Sequence, residues 1–552
     1  MPRAFKLGAA AAAAVVVLLA TACGSGVSAP AASSGTQLTL EGPGEPQTDN
    51  FNPFLPTSSM TNYGITTFIY EPLLQFDLLK PGTVYSWLAT SYRWSNGDRT
   101  LTFSLRHGVT WSDGKPFTSA DVVWTFEMLK RYPALNTNGV TFTSVAAQGP
   151  YTVVMTFAQP AYPQFYNVAG ETYIVPMHIW DRIANPVDAL NTHPVGTGPM
   201  LFQSFSPENL VLVKNPHYWQ ADKVKVTEMQ FPTASVDTDV SLLSEGKMDW
   251  ASGAFAHIQQ VFVDKSPDNH YWFPPEGVVA LVPNMTVYPL GSAAVRKAIS
   301  LALDRTAISA EGESGYEAPA TSPTGLVLPN DQSYLAPQYA GLSNQVNLAQ
   351  ARKLLASAGL VKGPGGYLAG KNRKPITLTI VDPTDFPDYM TDAQIIAADL
   401  KAIGLDATVS GVSVPGWTSD LDSGNFQLTI DYSNVGPSPY YWYDGWLDDT
   451  LTAPVGKTAS ADVGRWQDPA TQALLSEYQT ATTDSARLKA VQGLEGIMVR
   501  DVPVIPLVYS AVWGEYSDTT VVGWPSPSDP YESASSYPPG NEVVLTHLQP
   551  RG

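Results

Sequence analysis

Cysteine is almost absent from this chain of 552 residues, with Cys23 as its single instance. One cysteine excludes a disulfide framework and any zinc finger or iron–sulfur cluster held by several thiolates. Positive charge is also scarce, because 31 lysines and arginines face 50 aspartates and glutamates, for a formal net charge of −19. That balance argues against nucleic acid or an anionic membrane surface as a partner, since both would repel the protein at long range. Apolar runs stay below the ~20 residues of a membrane-spanning helix.

The local motifs of the common enzyme classes are missing as well. The sequence has no Gly-x-Ser-x-Gly elbow, phosphate loop, His-Glu-x-x-His helix or dinucleotide-binding glycine pattern. Its seven histidines never stand three or four positions apart, so they form no local metal site; they are His107, His178, His193, His217, His257, His270 and His547. We therefore predict a non-catalytic protein without a cofactor or a bound metal. A metal site assembled from distant residues stays open, as does a surface hydrolase or adhesion module as a remote alternative.

Apolar and aromatic residues, by contrast, are plentiful. Hydrophobic residues make up 44% of the chain and aromatic residues 11%, which is ample for a globular core and too much for a disordered protein. At roughly 100–200 residues per domain, the length predicts about three domains.

The N-terminus has the pattern of an export signal. A short basic region precedes an apolar run over 7–20, which is too short to span a bilayer, and small residues follow. The residues around Cys23 resemble the lipobox of bacterial lipoproteins, although Ala20 stands where that family usually has leucine. The resemblance implies removal of 1–22 and acylation of the Cys23 thiol, which would anchor the protein to the outer face of the bacterial cytoplasmic membrane by lipid alone. An ordinary secretory signal is the alternative. Residues 23–36 then read as a flexible Gly-, Ser-, Ala- and Pro-rich linker.

Two patterns in the body of the chain predict defined supersecondary units. Asn-Gly at 96–97 separates two alternating runs, which is a strong β-hairpin signal. Further on, a β-rich run at 376–381, a helical pattern at 389–403 and a strand at 405–409 predict a βαβ unit with a parallel strand pair. Gly404 stands where that helix needs its C-cap.

The stretch 105–122 is the richest in local signals. Asp113 and Gly114 predict a turn with positive φ at the glycine. Thr118 is placed as the N-cap of the next helix, and Asp121 lies near the positive end of that helix. Because turn and cap chemistry accounts for both aspartates, we favour a structural role over a catalytic carboxylate pair.

The same stretch resembles the signature of family 5 of the bacterial extracellular solute-binding proteins, the dipeptide- and oligopeptide-binding group of ABC importers. Supporting stretches occur in the expected order, at 70–73, 196–199, 214–219, 246–249 and 295–299. The resemblance implies an α/β, two-lobed fold of the type II periplasmic-binding-protein kind with an extra inserted domain. It also implies the division of the chain into a discontinuous lobe I at 37–78, 190–272 and 505–552, an inserted domain at 79–189 and lobe II at 273–504.

The resemblance also locates a ligand-contacting stretch. In peptide-binding members, an aspartate pairs with the ammonium group of the peptide N-terminus. Alignment on Pro439 puts Val435 in place of that aspartate, Tyr432 in place of a tryptophan and Ser438 in place of a second aspartate. Valine cannot neutralise a buried ammonium, whose burial without a partner is costly. Asp431 or a shifted register could restore the charge, so this inference stays open.

Five aromatic residues in seven follow directly at 440–446. Such side chains offer flat apolar faces with polar edges, which suit pyranose rings, and some members of the family bind β-linked oligosaccharides. Core packing is the alternative for Trp442 and Trp446 at helical spacing. Asn52 is a candidate by family position alone. The predicted ligand-binding residues are Asn52, Trp417, Asp431, Tyr432, Asn434, Tyr440, Tyr441, Trp442 and Trp446.

Together these features predict a monomeric receptor that captures an oligomeric solute between two lobes by hinge closure. An oligosaccharide is slightly favoured over an oligopeptide as the ligand, and both remain open. The closed form would be recognised by the permease subunits of an ABC importer.

Overall fold

The computed structural model of the protein describes residues 35–370 and 373–552. The predicted signal at 1–22, Cys23 and nearly all of the predicted linker lie outside the described residues. Within the described part of the chain, no helix is both long and apolar enough to cross a membrane. The protein has a two-lobed α/β fold, as the sequence predicted, and its parts are set out sheet by sheet below.

The first lobe is built on a four-stranded sheet, called here the lobe I sheet. Its strands follow the spatial order Thr36–Thr39, Val226–Pro232, Asn209–Lys214 and Met200–Ser206. The first pair is parallel and the other two pairs are antiparallel. A second, three-stranded sheet pairs Glu515–Ser517 with both Trp250–Ala251 and Asn269–Tyr271, so the C-terminal part of the chain returns to this lobe.

A four-stranded antiparallel sheet, the insertion sheet, comes between these segments in the sequence. Its spatial order is Ala89–Ser95, Thr100–Leu105, Thr152–Thr156 and Ser144–Ala147. The predicted hairpin is confirmed, since the first two strands pair antiparallel around Asn96 and Gly97, which have φ of 53° and 60°.

The helix Ser119–Arg131 covers this region and begins as predicted. Thr118 accepts a hydrogen bond from a backbone N–H of the first turn, and the Asp121 carboxylate accepts one from the Thr118 backbone N–H at 2.9 Å. These two bonds form a capping box, which satisfies donors that the helix start leaves free. Asp113 instead lies in the turn before Gly114 (φ 84°) and contacts His178 at 2.7 Å. The structural interpretation of both aspartates is confirmed.

One hydrophobic core, the first core, runs through the lobe I sheet and the insertion sheet. Leu212 and Met229 of the former share it with Phe103 and Val153 of the latter and with Phe126 of the covering helix. The chain segment that looks inserted in the sequence is therefore joined to lobe I by continuous packing.

The second lobe is built on a five-stranded sheet, the lobe II sheet. Its spatial order is Asp406–Val412, Thr377–Pro383, Leu428–Tyr432, Val279–Pro283 and Ile505–Val508. The first three strands are parallel and the last two pairings are antiparallel. The predicted βαβ unit is confirmed, with the helix Pro387–Ala402 between its strands and Gly404 at φ 94° after the helix.

The strand Val279–Pro283 shows how this sheet separates two cores. Because successive side chains point to opposite faces, Val279 and Leu281 enter the second core, on the face of helix Pro387–Ala402. Ala280 and Val282 enter the third core, which includes residues of the helices Tyr440–Leu447 and Asp484–Asp501.

Two antiparallel segments, 272–277 and 510–514, connect the lobes. The Trp272 N–H donates to the Gly514 carbonyl at 2.9 Å, and the Ser510 N–H donates to the Gly277 carbonyl at 3.0 Å. The paired segments leave the three-stranded sheet of the first lobe and enter the lobe II sheet as neighbouring strands. We call this pair the crossing segments.

The remaining elements are short strands and helices that complete the lobes. The paired strands are Leu74–Asp77 with Thr83–Ser86, Val361–Lys362 with Leu368–Ala369, and Val521–Val522 with Gln549–Pro550. The other α-helices are Ser59–Asn62, Thr66–Ile69, Phe165–Ala169, Met177–Trp180, Val236–Ser244, Ile258–Val261, Ala293–Ser300, Arg305–Ala307, Leu348–Ser357, Val414–Ser423, Pro469–Thr480 and Asn541–His547.

Candidate functional site

The loop 433–439, called here the binding loop, follows a central strand of the lobe II sheet and leads into the helix Tyr440–Leu447. Ser433 fixes its start, because its backbone N–H donates to the Val278 carbonyl at 2.9 Å and its hydroxyl accepts from the Val278 N–H at 3.0 Å. Val435 lies beside the crossing segments, since a Cβ placed on Gly277 would be 3.8 Å from its side chain. The loop therefore sits where the two lobes meet.

The side chains around this loop differ in how far they reach solvent. Tyr432 is 57% exposed and Val435 is 38% exposed, and Asn434 is exposed as well. Apolar side chains that are exposed to solvent in this way can contact a ligand. The predicted site residues Tyr432 and Asn434, and the aligned position Val435, are thus accessible to a solute.

Two carboxyl groups lie at the ends of neighbouring strands of the lobe II sheet. Burial raises the pKa of Asp431 to about 7. The hydrogen bond that its carboxylate accepts from the Tyr432 N–H at 2.9 Å acts in the opposite direction but is the smaller effect. Burial likewise raises the pKa of Asp382 to about 8, although its Oδ1 accepts from the Ile430 N–H at 2.9 Å. Near pH 7, Asp382 is therefore mostly protonated and Asp431 about half protonated, so the pair offers hydrogen-bond donors as well as acceptors.

A cavity of about 520 Å³, the first cavity, lies between residues that pack with the first core and residues that pack with the third core. Its walls are rich in tyrosine: Tyr92, Tyr162, Tyr166, Tyr334, Tyr441 and Tyr478 all line it. Its charged lining residues are Asp484 and Arg487. Its volume falls in the range of known small-molecule sites.

A second cavity of about 420 Å³ shares the lining residue Tyr441 with the first cavity. The predicted site residues Asn434, Tyr440 and Tyr441 line it, with Pro163 and Asn167 on the opposite side. The Tyr440 hydroxyl donates to Asp444 Oδ1 at 2.6 Å and accepts from Gln479 Nε2 at 2.9 Å. This cavity thus combines aromatic and amide surface with hydrogen-bonding groups.

Contacts across the cavities join the two sides directly. The Tyr441 hydroxyl donates to the Pro163 carbonyl at 2.9 Å. Arg487 forms an ion pair with Asp98, and its guanidinium lies 3.4 Å from the centre of the Tyr162 ring. The structure therefore brings the lobes into contact away from the crossing segments.

Four predicted site residues are buried and line neither of these cavities. Trp417 packs in a small core with Leu421, and its indole N–H donates to Thr429 Oγ1 at 2.8 Å. Trp442 is 2% exposed, and both it and Trp446 belong to the third core. Packing accounts for these three tryptophans, and the spacing of four places Trp442 and Trp446 on the same face of their helix.

Asn52 is buried as well, and its side chain has a structural function. Its amide nitrogen donates to the Pro186 and Ala189 carbonyls at 3.0 Å, and its amide oxygen accepts from the Phe54 N–H at 3.1 Å. These bonds join the loop at 52–54 to the distant segment at 186–189. The expectation that Asn52 faces the ligand does not match this placement.

Sequence reasoning missed most of the lining residues of the first cavity. Tyr162 and Tyr166 come from the region of the insertion sheet, and Tyr334, Tyr478 and Arg487 come from segments far from the binding loop. No local motif distinguishes these residues, because only the packing of remote segments brings them together. Among the described residues, no cluster of three or more His, Cys, Asp or Glu side chains is placed to hold a metal ion.

A two-lobed α/β body with paired crossing segments and cavities between its lobes defines the class of solute-binding proteins. The family model of bacterial extracellular solute-binding proteins, family 5, matches residues 83–452. The chain belongs to this family, whose members are receptors of ABC importers and not enzymes.

Two relatives in other bacteria are similar over most of their length. The chain is 29% identical over 412 residues to protein XP55 of Streptomyces lividans, covering 73% of this chain and 72% of XP55. It is 24% identical over 481 residues to the periplasmic oligopeptide-binding protein OppA of Escherichia coli, covering 81% of this chain and 82% of OppA.

Solved structures share the fold. The periplasmic oligopeptide-binding protein of an oligopeptide ABC transporter from Thermotoga maritima matches with a TM-score of 0.85 and 24% identity, over 94% of this chain and all of that one. A second structure of that protein, with mannohexaose bound, matches with a TM-score of 0.78, over 94% of this chain and 99% of that one.

Proposed function

We propose that this receptor captures an oligomeric solute between its lobes, with an oligosaccharide favoured over an oligopeptide. The observation that carries the preference is Val435, an exposed apolar side chain beside the crossing segments at the position aligned with the ammonium-binding aspartate of peptide receptors. A peptide ammonium buried against valine lacks its counter-charge, which costs several kcal/mol. A neutral sugar has no such requirement.

The surroundings of the binding loop support the same choice. Tyr432 and the tyrosines of the first cavity offer ring faces, while Asn434, Asp444 and Gln479 offer hydrogen-bonding groups in or beside the second cavity. Pyranose rings present apolar C–H faces and a rim of hydroxyls, which this combination of surfaces complements. The mannohexaose-bound neighbour indicates that this fold can accommodate such a ligand.

An oligopeptide is the second candidate, and two observations favour it. Several named relatives are peptide-binding proteins. Asp431 lies four positions before Val435, and although its pKa is raised to about 7, a ligand ammonium in contact would favour its ionised form.

Capture would proceed by hinge closure about the crossing segments. The exported receptor would be a monomer, anchored by an acylated Cys23. Closure buries the solute from water, and the closed shape is what the permease subunits would recognise.

The lipid anchor can be tested with labelled palmitate, which should be incorporated into the wild-type chain but not into a Cys23→Ser variant.

The ligand is tested by calorimetry on residues 23–552, with manno- and cello-oligosaccharides beside di- to hexapeptides. Saturable binding of an oligosaccharide is expected, and ligand at ~100 times its Kd would add about 2.7 kcal/mol of stability. Binding of peptides alone would refute the sugar preference. Binding of neither series to the folded chain would refute capture of either oligomer class.

A pair of matched variants sharpens this test. Val435→Asp introduces the missing carboxylate, and Val435→Asn introduces a side chain of the same shape without the charge. We expect Val435→Asp alone to raise affinity for peptides at least tenfold. Equal behaviour of the two variants would show that charge at this position does not select the ligand.

A further inference from the structure

Tyr441 occupies a position that connects the two lobes. Its half-buried side chain packs against the first core and also against the third core. The ring lies edge-on to Tyr166 on the opposite side, with ring centres 6.0 Å apart. Tyr441 therefore stands across the interlobe space rather than along one wall of it.

The same residue contributes to the lining of both cavities. Tyr441 lines both the first cavity, of about 520 Å³, and the second cavity, of about 420 Å³. The other lining residues of the first cavity include Tyr334 and Tyr478, whereas those of the second include Asn434 and Asp444. Of the described lining residues, only Tyr441 is shared by these two cavities, so they adjoin at this residue.

Contacts on both sides hold that ring in place. Its hydroxyl donates to the Pro163 carbonyl at 2.9 Å, which fixes the far end of the side chain on the opposite side. Its near end lies directly on Gly436, where an added Cβ would be 2.4 Å from the Tyr441 Cγ atom. Only a residue without a side chain allows this approach, so the binding loop itself is shaped to accept the ring.

We propose that Tyr441 sets the length of ligand that the receptor accepts by partitioning the interlobe space. A short oligomer fits one cavity and leaves the ring undisturbed. A longer oligomer has to displace the ring, which breaks the hydrogen bond to Pro163 and the packing on both cores. This inference rests on the proposed function, because it concerns the same interlobe site.

The test uses two ligand series of increasing length, manno-oligosaccharides of two to six units and alanine peptides of two to six residues. Calorimetry on residues 23–552 gives the ratio of affinity for the longest to the shortest ligand of the series that binds. In Tyr441→Ala, where the two cavities join, we expect this ratio to rise at least tenfold over wild type. In Tyr441→Phe, which keeps the ring and loses only the hydrogen bond to Pro163, we expect a clearly smaller rise of the ratio than in Tyr441→Ala.

Tyr441→Leu is a second variant, for the case in which the alanine variant folds poorly. Leucine keeps apolar contact with both cores but is too short to reach Pro163. It should raise the length ratio in the same direction. An unchanged ratio in both the alanine and leucine variants would overturn the length inference alone. An equal change in Tyr441→Phe would overturn it too, since the hydrogen bond rather than the ring would then matter. If the wild-type chain binds neither series, the proposed function fails and this inference falls with it.

Discussion

The contact between Arg487 and Asp98 offers a direct test of how the lobes are held together. The two side chains are 9% and 10% exposed and form an ion pair between the helix Asp484–Asp501 and the hairpin turn of the insertion sheet. Arg487 also contacts Asp484 at 2.9 Å, but that carboxylate is 95% exposed and lies in the same helix. One arginine thus makes a buried contact between the lobes and an exposed contact within one lobe.

Replacement of Arg487 by glutamine leaves the Asp98 carboxylate buried without its counter-charge. A hydrogen bond to a charged group contributes about 1.5–3 kcal/mol, whereas an exposed ion pair contributes only about 0.2–1 kcal/mol. Because opening of the lobes returns Asp98 to water, loss of this contribution destabilises the closed state and leaves the open state unchanged. We expect the closed-to-open ratio to fall roughly 10- to 150-fold, since about 1.4 kcal/mol corresponds to a factor of ten.

Fluorescence energy transfer between the lobes measures that ratio. In a Cys23→Ser background, cysteines introduced at the exposed positions Thr137 and Lys457 can carry the dyes, because the native chain has no other cysteine. Arg487→Gln should show a larger open population than the parent chain, with or without ligand.

The control is Asp484→Asn, which removes the exposed partner of Arg487 and leaves the pair with Asp98 intact. It should change the closed-to-open ratio less than about fivefold, as expected for an exposed pair. Equal effects of Arg487→Gln and Asp484→Asn would refute the argument, because burial would then not distinguish the two contacts. So would an unchanged ratio in Arg487→Gln.

Three further predictions concern stability and are measured by urea unfolding of residues 23–552. Trp417→Ala should cost about 3–5 kcal/mol because it empties a small core; a loss below 1 kcal/mol would contradict the buried placement. Gly436→Ala should cost about 1–3 kcal/mol, since its new methyl group meets the Tyr441 ring; a neutral effect would show that the ring yields freely. Burial, with the charge of the neighbouring Glu313, raises the pKa of Asp392. Above a pH of about 4, Asp392 is ionised in the unfolded chain but still protonated in the folded one, so the free energy of unfolding falls as pH rises. Asp392→Asn removes this group and should make the fall between pH 5 and 8 less steep. An equally steep pH dependence in that variant would contradict this account.

Features of the fold that depend on neighbouring residues could be predicted from the sequence. The turn at Asn96 and Gly97 and the cap formed by Thr118 and Asp121 are set by local backbone chemistry, which the residue types reveal. The βαβ unit at 377–412 likewise follows from periodicity and from a glycine C-cap. The interleaving of the lobes came from the family resemblance, because local patterns do not say which distant strands pair.

The candidate site was harder to predict, because exposure is decided by residues far away in the sequence. Tyr432 and Trp442 are only ten positions apart in an aromatic-rich stretch, yet one is largely exposed and the other is in the third core. Composition gives the same expectation for both. The cavity walls at Tyr162 and Tyr478 carry no motif at all, so their proximity depends on tertiary packing alone.

The continuous first core has a consequence for dissecting this protein. Residues 79–189 occupy an uninterrupted stretch of the chain, which makes them look like a detachable module. Expressed alone, they would lose the part of the first core that Leu212 and Met229 contribute. Excision would in turn remove Phe103, Val153 and Phe126 from the core of the remaining lobe. For protein engineering, the useful cut therefore lies at the crossing segments, where two backbone segments join lobes that otherwise touch through side chains such as Tyr441 and Arg487.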